Sequence, residues 1–258
     1  MAARAMWKAV VRVGSISVPV KLYSAIQDRD VHFRMLHGKD HAPVKQAMVN
    51  PDTDEVVPRE KIRRGYFSPE GDLVLLENDE LATLEPEPSR EIHLQHFLPP
   101  DVIDHRYYRR PYYLGPDGST DKYSALIGAL AKSGREGFAH WVMRNKAYVG
   151  ALRLHQGYPM LIALRHAEEV ISVNAIDTPS GNELDQRELD MARQLIQMLA
   201  ANFEPEQYHD QYRERVINLI QTKASGGKVK ALRPRAKAPS EDLAKALEAS
   251  LQKERKRA

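Results

Sequence analysis

The chain of 258 residues contains no cysteine, and this absence excludes disulfide bonds and zinc sites built from thiolates. The same absence fits a protein of the reducing cytoplasm. No run of eighteen apolar residues occurs, so the sequence predicts no transmembrane helix. Aromatic residues make up only 7% of the chain, but the aliphatic content is sufficient for a core. These features predict one large domain, or one domain with appendages.

Motifs of common enzyme classes are also missing. Residues 115–118 (GPDG) fall short of a glycine-rich phosphate loop, because no Lys followed by Ser or Thr ends the segment. No Gly-x-Ser-x-Gly nucleophile motif occurs. The spacings of His32, His37 and His41 match no zinc pattern. We therefore expect a protein that is not an enzyme and that uses no metal or cofactor.

The net charge is only +3, but the charge is sorted into blocks. Residues 105–166 carry ten Lys and Arg against three Asp and Glu, whereas residues 66–104 carry one against ten. Residues 8–65 and 222–258 are basic again, with eleven Lys and Arg in each. Phosphate binding needs a local basic surface and not a basic protein. Two interpretations stay open, a nucleic-acid surface and solvated faces that neutralise one another in the fold.

Alternation of apolar and polar residues predicts strands through much of the first 170 residues. The clearest pair is Ile16–Tyr23 and a shorter strand before it, Ala9–Val13, joined by a Gly14-Ser15 turn. Further strands are expected over 31–35, over 71–76, over 90–97, over 107–116, as a hairpin over 44–58, and as a three-stranded meander over 137–165. The tyrosines of 107–116 fit a base-stacking platform or a strand with alternating core and rim positions, and we favour the strand.

Helical spacing of apolar residues predicts several helices. Residues 121–133 form the clearest, with Gly134 as its end. A short acidic helix over 80–84 is expected after a cap at Asn78 or Asp79, a longer helix from Glu183 after a cap at Asn182, and a last one through Ile220. The consecutive Tyr208, His209 and Asp210 are better explained by helix packing than by catalysis.

The last 35 residues differ in character from the rest. Residues 228–239 are basic and too poor in apolar residues to fold alone. Leu243, Leu247 and Leu251 then follow four residues apart and form a narrow apolar stripe. A helix this short is marginal alone, so we expect it to order on a partner.

Four segments of the chain, in order, resemble the bacterial Ku proteins, the DNA-end-binding proteins of non-homologous end joining. They are VGSISVPVKLYSA (13–25), YYRRPYYLGPDG (107–118), FAHWVMRNKAYVGALRLHQGYPMLIALRHAEEV (138–170) and YHDQYRER (208–215). The chain is therefore identified as a member of that family. Some relatives carry a cysteine pair near the position of MVNPDTDEVV (48–57), and its absence here removes a zinc site.

The resemblance implies a mixed α+β fold, with a Ku-type antiparallel β-barrel core, helical appendages and a flexible basic C-terminal tail. According to this resemblance, residues 1–223 form the core and residues 224–239 form a basic flexible linker. Residues 240–258 form a ligase-contacting helix with a basic tail. Within the core, about 28–65 would be a DNA bridge and about 183–221 a helical arm.

The resemblance further implies a homodimeric ring that is threaded by a double-stranded DNA end and contacts the backbone without reading bases. The expected DNA-binding residues are Lys8, Arg12, Lys21, Arg29, Arg34, Lys39, Lys45, Arg59, Lys61, Arg63 and Arg64. Leu243, Leu247 and Leu251 would contact the ATP-dependent DNA ligase of bacterial end joining. We expect a cytoplasmic, nucleoid-associated protein without a membrane partner.

The alternative from a different class is a dimeric protein–protein adaptor that binds no nucleic acid. It is favoured by the net negative charge of residues 1–221, which contain 27 basic and 31 acidic residues. The salt dependence of DNA binding separates the two functions, since an adaptor has no DNA complex to weaken.

Overall fold

A closed barrel of seven strands is the centre of the computed structural model, which describes residues 4–177 and 185–226 together with Glu248, Ser250, Leu251 and Gln252. The strands of the described residues are β1 (Trp7–Val13), β2 (Ile16–Ser24), β3 (Arg64–Phe67), β4 (Leu73–Leu76), β5 (Glu91–Leu98), β6 (Tyr108–Pro116), β7 (Glu136–Met143), β8 (Lys146–His155) and β9 (Tyr158–Leu164). Around the barrel their order is β1-β2-β6-β9-β8-β7-β5, and β5 closes it against β1. β3 and β4 form a separate ribbon.

The chain divides into two compact units. The first comprises Met1–Arg29 and Arg34–Ala175, and the second comprises Asp30–Phe33 and Ile176–Ala258. The helices of the described residues are α1 (Asn78–Thr83) and α2 (Thr120–Ser133) in the first unit and α3 (Gln186–Met198) and α4 (Gln211–Ala224) in the second. None of these helices is long and apolar enough to cross a membrane. The predicted linker 224–239 and terminal segment 240–258 lie mostly outside the described residues, so that division stays a prediction.

The barrel core follows from the alternation in the sequence. In β2, Val18, Val20 and Leu22 are 0–1% exposed, whereas Lys21 between them faces outward. α2 packs at the barrel end that holds the β1–β2 turn, and its Tyr123 hydroxyl donates to the carbonyl oxygen of Leu114 at 2.5 Å. Burial raises the pKa of Tyr123 to about 12. That hydroxyl is therefore a fixed structural donor throughout the physiological range.

One pair of barrel strands determines where the rest of the first unit lies. All neighbours are antiparallel except β1 and β5, which run parallel with Val10 opposite Glu91. The prediction of an antiparallel barrel is thus confirmed for six of the seven pairs of neighbouring strands and wrong for the pair β1 and β5. Because β2 returns to the end where β1 begins, and β5 starts at that same end, residues 25–90 leave and rejoin the barrel at one end. We call the residues of this segment that belong to the first unit, 25–29 and 34–90, the arm.

Most predicted barrel strands are confirmed to within two residues. The β7–β8–β9 meander matches the prediction, and Gly14 has a positive φ of 55° in the predicted β1–β2 turn. The strand interpretation of the tyrosine-rich segment is confirmed, because Tyr112 is 3% exposed and Tyr113 packs edge-on against Tyr158.

Between β2 and β5, one predicted strand is wrong and one predicted hairpin is confirmed in a shortened form. Residues 31–35 pair with no strand among the described residues, although apolar and polar residues alternate there. The hairpin predicted over 44–58 is reduced to an antiparallel bridge between Val49 and Val56, with backbone hydrogen bonds from Val57 N–H to Met48 O at 2.8 Å and from Asn50 N–H to Glu55 O at 2.9 Å. The turn predicted at Asn50 is confirmed, since its side-chain oxygen accepts the backbone N–H of Asp52 at 3.0 Å.

The predicted helix starts are displaced by a few residues. α1 begins at Asn78 after a cap at Glu77, whose backbone N–H donates to the Glu80 carboxylate at 2.9 Å. α3 begins at Gln186 and not at Glu183, and Asp185 caps it by accepting the Glu188 N–H at 2.8 Å. The predicted cap Asn182 lies outside the described residues. Acidic residues at successive positions offer several caps, and the sequence alone does not rank them.

A pair of glycine substitutions tests the packing of the barrel. A Cβ on Gly150 would lie 2.5 Å from the carbonyl oxygen of Ile162 and 2.6 Å from the ring of Trp141. We expect Gly150→Ala to lower the free energy of unfolding by about 3 kcal/mol, because backbone and a buried ring must move. Gly128 in α2 has no atom within 4 Å of its added Cβ. Gly128→Ala should raise the same quantity by roughly 0.5–1 kcal/mol.

Both variants are measured by urea denaturation at one protein concentration. If Gly150→Ala unfolds at the wild-type urea concentration, the close approach of β8 to Trp141 is incorrect.

Candidate nucleic-acid interface

The three cations predicted on the barrel face project from β1 and β2, and each is paired with a carboxylate. Lys8 and Lys21 are cross-strand neighbours, and their Nζ atoms lie 3.2 and 3.0 Å from oxygens of Asp117. Arg12 Nε donates to Glu91 Oε1 at 2.7 Å. These cations stay partly exposed, but carboxylates already offset part of their charge.

The ionisation of these groups reflects the pairing. Hydrogen bonds from Lys21 and Lys8 hold the pKa of Asp117 below its ordinary value, and the contact with Asp117 raises the pKa of Lys21. The hydrogen bond from Arg12 lowers the pKa of Glu91. Stabilisation from a lowered carboxyl pKa is present above its ordinary value, about 4, and is lost as the pH falls through the lowered value. At neutral pH a phosphate would therefore compete with these carboxylates.

The remaining predicted cations lie in the arm, where most have no carboxylate partner. All of them are exposed. Arg63 is held in place, because its Nη1 donates to the carbonyl oxygen of Glu60 at 2.8 Å and its Nε lies 3.7 Å from Glu77. Among the residues that the structure describes, no ion pair is made by Arg34, Lys39, Lys45, Arg59, Lys61 or Arg64. These six are available to bind phosphate.

The arm also exposes large apolar side chains. In the β3–β4 ribbon, Phe67 is 68% exposed and Leu75 is 60% exposed, and Met48 elsewhere in the arm is 69% exposed. A two-stranded ribbon is marginal alone in water and normally needs a covered apolar face. A surface that combines free cations with uncovered apolar residues is typical of an element that is completed by a partner.

A basic pocket that the sequence analysis did not assign lies at the arm end of the barrel. Its volume is about 220 Å³. Arg109 and Arg110 reach it from the start of β6, Lys146 from the start of β8, and His166 from just after β9. Glu169, 3.6 Å from Arg109, supplies the one carboxylate among its described lining residues. We call this site the barrel-end pocket.

The sequence contains one signal that could have indicated the barrel-end pocket, the basic block 105–166. Arg109 and Lys146 are 37 positions apart in the sequence, and only the pairing of β6, β9 and β8 brings them together. The block of basic residues can be read from the sequence, but the meeting of Arg109 and Lys146 at one pocket cannot.

The second unit gives a partial view of the predicted partner surfaces. Asp210 caps α4 by accepting the Arg213 N–H at 3.0 Å. Tyr208 is 71% exposed, so the packing role expected for residues 208–210 stays a prediction. Phe203 is 77% exposed and Ile196 is 70% exposed. Of the predicted ligase-contacting residues, Leu251 is 7% exposed, whereas Leu243 and Leu247 lie outside the described residues.

Comparison with known proteins agrees with this architecture. The profile of the Ku70/Ku80 beta-barrel domain matches residues 12–191, which is more than half of the chain. The non-homologous end joining protein Ku 2 of Geotalea uraniireducens is 36% identical over 98% of this chain and 99% of its own length. The Ku proteins of Mycobacterium tuberculosis and Bacillus subtilis are 35% and 32% identical, over 87% and 97% of this chain and 84% and 82% of their own lengths. The chain therefore belongs to the Ku family.

Proposed function

We propose that this chain binds the ends of linear double-stranded DNA in non-homologous end joining, as a homodimer whose arms complete a ring around the duplex. The observation that carries the proposal is the arm, which leaves and rejoins one end of the barrel and exposes six cations without ion pairs. The end-joining role is carried over from the names of the relatives. The site of action would be the nucleoid.

A second copy of the chain is the partner that the exposed apolar residues support. Phe67 and Leu75 project from opposite strands of a ribbon that packs on no other sheet of the described residues. A symmetric dimer would cover the same surface on both copies. Two arms that meet in this way enclose a space that is bounded by both barrels.

Binding in that space would be independent of DNA sequence. The cations of the arm are long, exposed and suited to phosphate oxygens, and phosphate contacts position a protein on DNA without reading its bases. A closed ring admits DNA only at a free end, so the preference for ends would come from topology and not from the chemistry of the terminus.

Recruitment of an ATP-dependent DNA ligase is assigned to the stripe Leu243, Leu247 and Leu251. Three leucines at four-residue spacing suit an amphipathic helix that docks into a groove of a partner. Leu251 is already buried in the single chain, which leaves Leu243 and Leu247 as the residues that would contact the ligase.

The function is tested with one DNA sequence in two forms. We expect a short linear duplex to bind and the closed circle of the same sequence to remain unbound, because the ring cannot open around it. If each subunit neutralises about six phosphates, log K should fall with log salt concentration at a slope near −5 per subunit. Equal binding of both forms would contradict threading, and absence of binding to either form would favour the adaptor.

Neutralising the arm should weaken DNA binding without unfolding the protein. We expect Arg59→Gln, Lys61→Gln and Arg64→Gln together to reduce affinity for a linear duplex at least tenfold and to make the salt slope less steep by about 3 per subunit. Arg63 is left intact because it supports the loop through Glu60 and Glu77.

The matched control for the arm variant removes the same charge at the other end of the barrel, with Lys122→Gln, Lys132→Gln and Arg135→Gln. These side chains are exposed. If the two triple variants lose affinity equally, the effect is one of net charge, and the arm is not the DNA surface.

A single substitution in the C-terminal stripe separates the two binding functions. We expect Leu247→Asp to abolish stimulation of the ligase, since a carboxylate cannot enter an apolar groove without a large desolvation cost. Binding of linear DNA by the same variant should equal that of the wild type. Lys253→Gln, outside the stripe, is the control, because it changes the net charge by the same −1. Normal ligase stimulation by Leu247→Asp would remove the stripe from the ligase contact.

A further inference from the structure

The turn between β7 and β8 places a cation in an unfavourable backbone conformation. Arg144 and Asn145 have positive φ angles of 53° and 59°. Tight turns of this kind favour Asn followed by Gly, and the β8–β9 turn has Gly157 at its second position. Arginine rarely adopts the left-handed region. A two-residue turn of this type requires a positive φ at both positions, and Gln156 of the β8–β9 turn has one of 51° as well. The turn therefore fixes where the Arg144 side chain starts, and any role for that side chain depends on the groups around it.

The strained turn is fixed beside both roots of the arm. Asn145 Nδ2 donates to Glu85 Oε2 at 2.6 Å, which ties the turn to the part of the arm that returns to the barrel. The departing part is tied to β6, because the backbone N–H of Ala25 donates to the carbonyl oxygen of Pro111 at 3.2 Å. β6 supplies Arg109 and Arg110 to the barrel-end pocket, and Lys146 follows directly after the β7–β8 turn.

Three cations share the barrel-end pocket with the buried Tyr112 ring. Arg109, Arg110 and Lys146 line the pocket together with that ring, and Arg110 Cζ lies 5.9 Å from the ring centre. Burial raises the pKa of Tyr112, and the positive charges of Arg110, Arg144 and Arg109 oppose that rise. Glu169 offsets part of the charge of Arg109 at 3.6 Å, whereas Arg110 and Lys146 make no ion pair among the described residues. The pocket therefore keeps an excess of positive charge, which favours binding of an anion.

We propose that the barrel-end pocket, together with Arg144, is a phosphate-binding site that holds a backbone phosphate of the DNA at the root of the arm. Its volume of about 220 Å³ has room for a phosphate group. Guanidinium groups bind phosphate oxygens in a bidentate manner, so several arginines suit this ligand better than an ordinary surface carboxylate. The DNA source rests on the proposed function, whereas a free phosphorylated small molecule offers the same chemistry.

The first test removes the cations of the pocket. Arg109→Gln, Arg110→Gln and Lys146→Gln are combined and compared with the triple variant of Lys122, Lys132 and Arg135, which loses the same charge. We expect the affinity for a linear duplex, measured by fluorescence anisotropy, to fall at least tenfold below that of the matched variant. The salt slope should become less steep by about 2 to 3 per subunit. Equal affinities and slopes for the two variants would overturn the site.

A single variant separates binding from folding. Asn tolerates the left-handed region better than Arg, so Arg144→Asn should keep or raise the melting temperature. Its affinity for the linear duplex should nevertheless fall about threefold. A variant that melts as the wild type does and binds DNA equally well would remove Arg144 from the site.

The source of the phosphate is distinguished with inorganic pyrophosphate in the absence of DNA. If the wild type binds no DNA, but pyrophosphate raises its melting temperature and not that of the pocket variant, the proposed function fails and the phosphate site stands. If linear DNA is threaded and the pocket variant behaves as the matched control does, the site fails and the function stands. Without a response to either ligand, both are overturned.

Discussion

The parallel pairing of β1 with β5 is the constraint on which the first unit depends. A parallel pair cannot be joined by a hairpin and needs a long crossover connection. Here that connection contains the hairpin return of β2 and the whole arm, which must bring the chain back to the start of β5. Val10 N–H donates to the carbonyl oxygen of Arg90 at 2.8 Å, and Arg12 holds Glu91, so the first residues of β5 are fixed to the middle of β1.

Closure of the barrel at this pair determines which residues meet. The departing root of the arm, its returning root and the β7–β8 turn are brought to one end of the barrel. α2 and the β1–β2 turn lie at the other end. A strongly basic end that carries the arm is thus separated by the length of the strands from an end that carries a helix. This separation is why substitutions in α2 are a suitable control for charge removed near the arm.

Sequence patterns predicted the strands that pair with a strand nearby in the chain. They missed the features that depend on segments distant in the chain. β2 and the β7–β8–β9 meander were correct because each pairs with a strand close to it in the chain. Residues 31–35 alternate equally well, but they form no ladder, since alternation describes a half-buried strand only where another strand lies alongside. The barrel-end pocket was missed for a related reason. Arg109, Lys146 and His166 belong to different strands, and their convergence is a property of barrel closure.

The cations of the first unit fall into two classes, and this explains why a net charge of +3 says little about DNA binding. Lys8 and Lys21 hold Asp117, just after β6, and Arg12 holds Glu91 of β5. These ion pairs stabilise the barrel, and the carboxylates offset the charge of the three cations. Among the described residues, most cations of the arm and of the barrel-end pocket make no ion pair. Counterion release depends on cations that can reach phosphate, not on the sum over the chain. A nearly neutral protein can therefore bind a polyanion, provided that the paired cations maintain the shape and the unpaired ones line the path of the DNA.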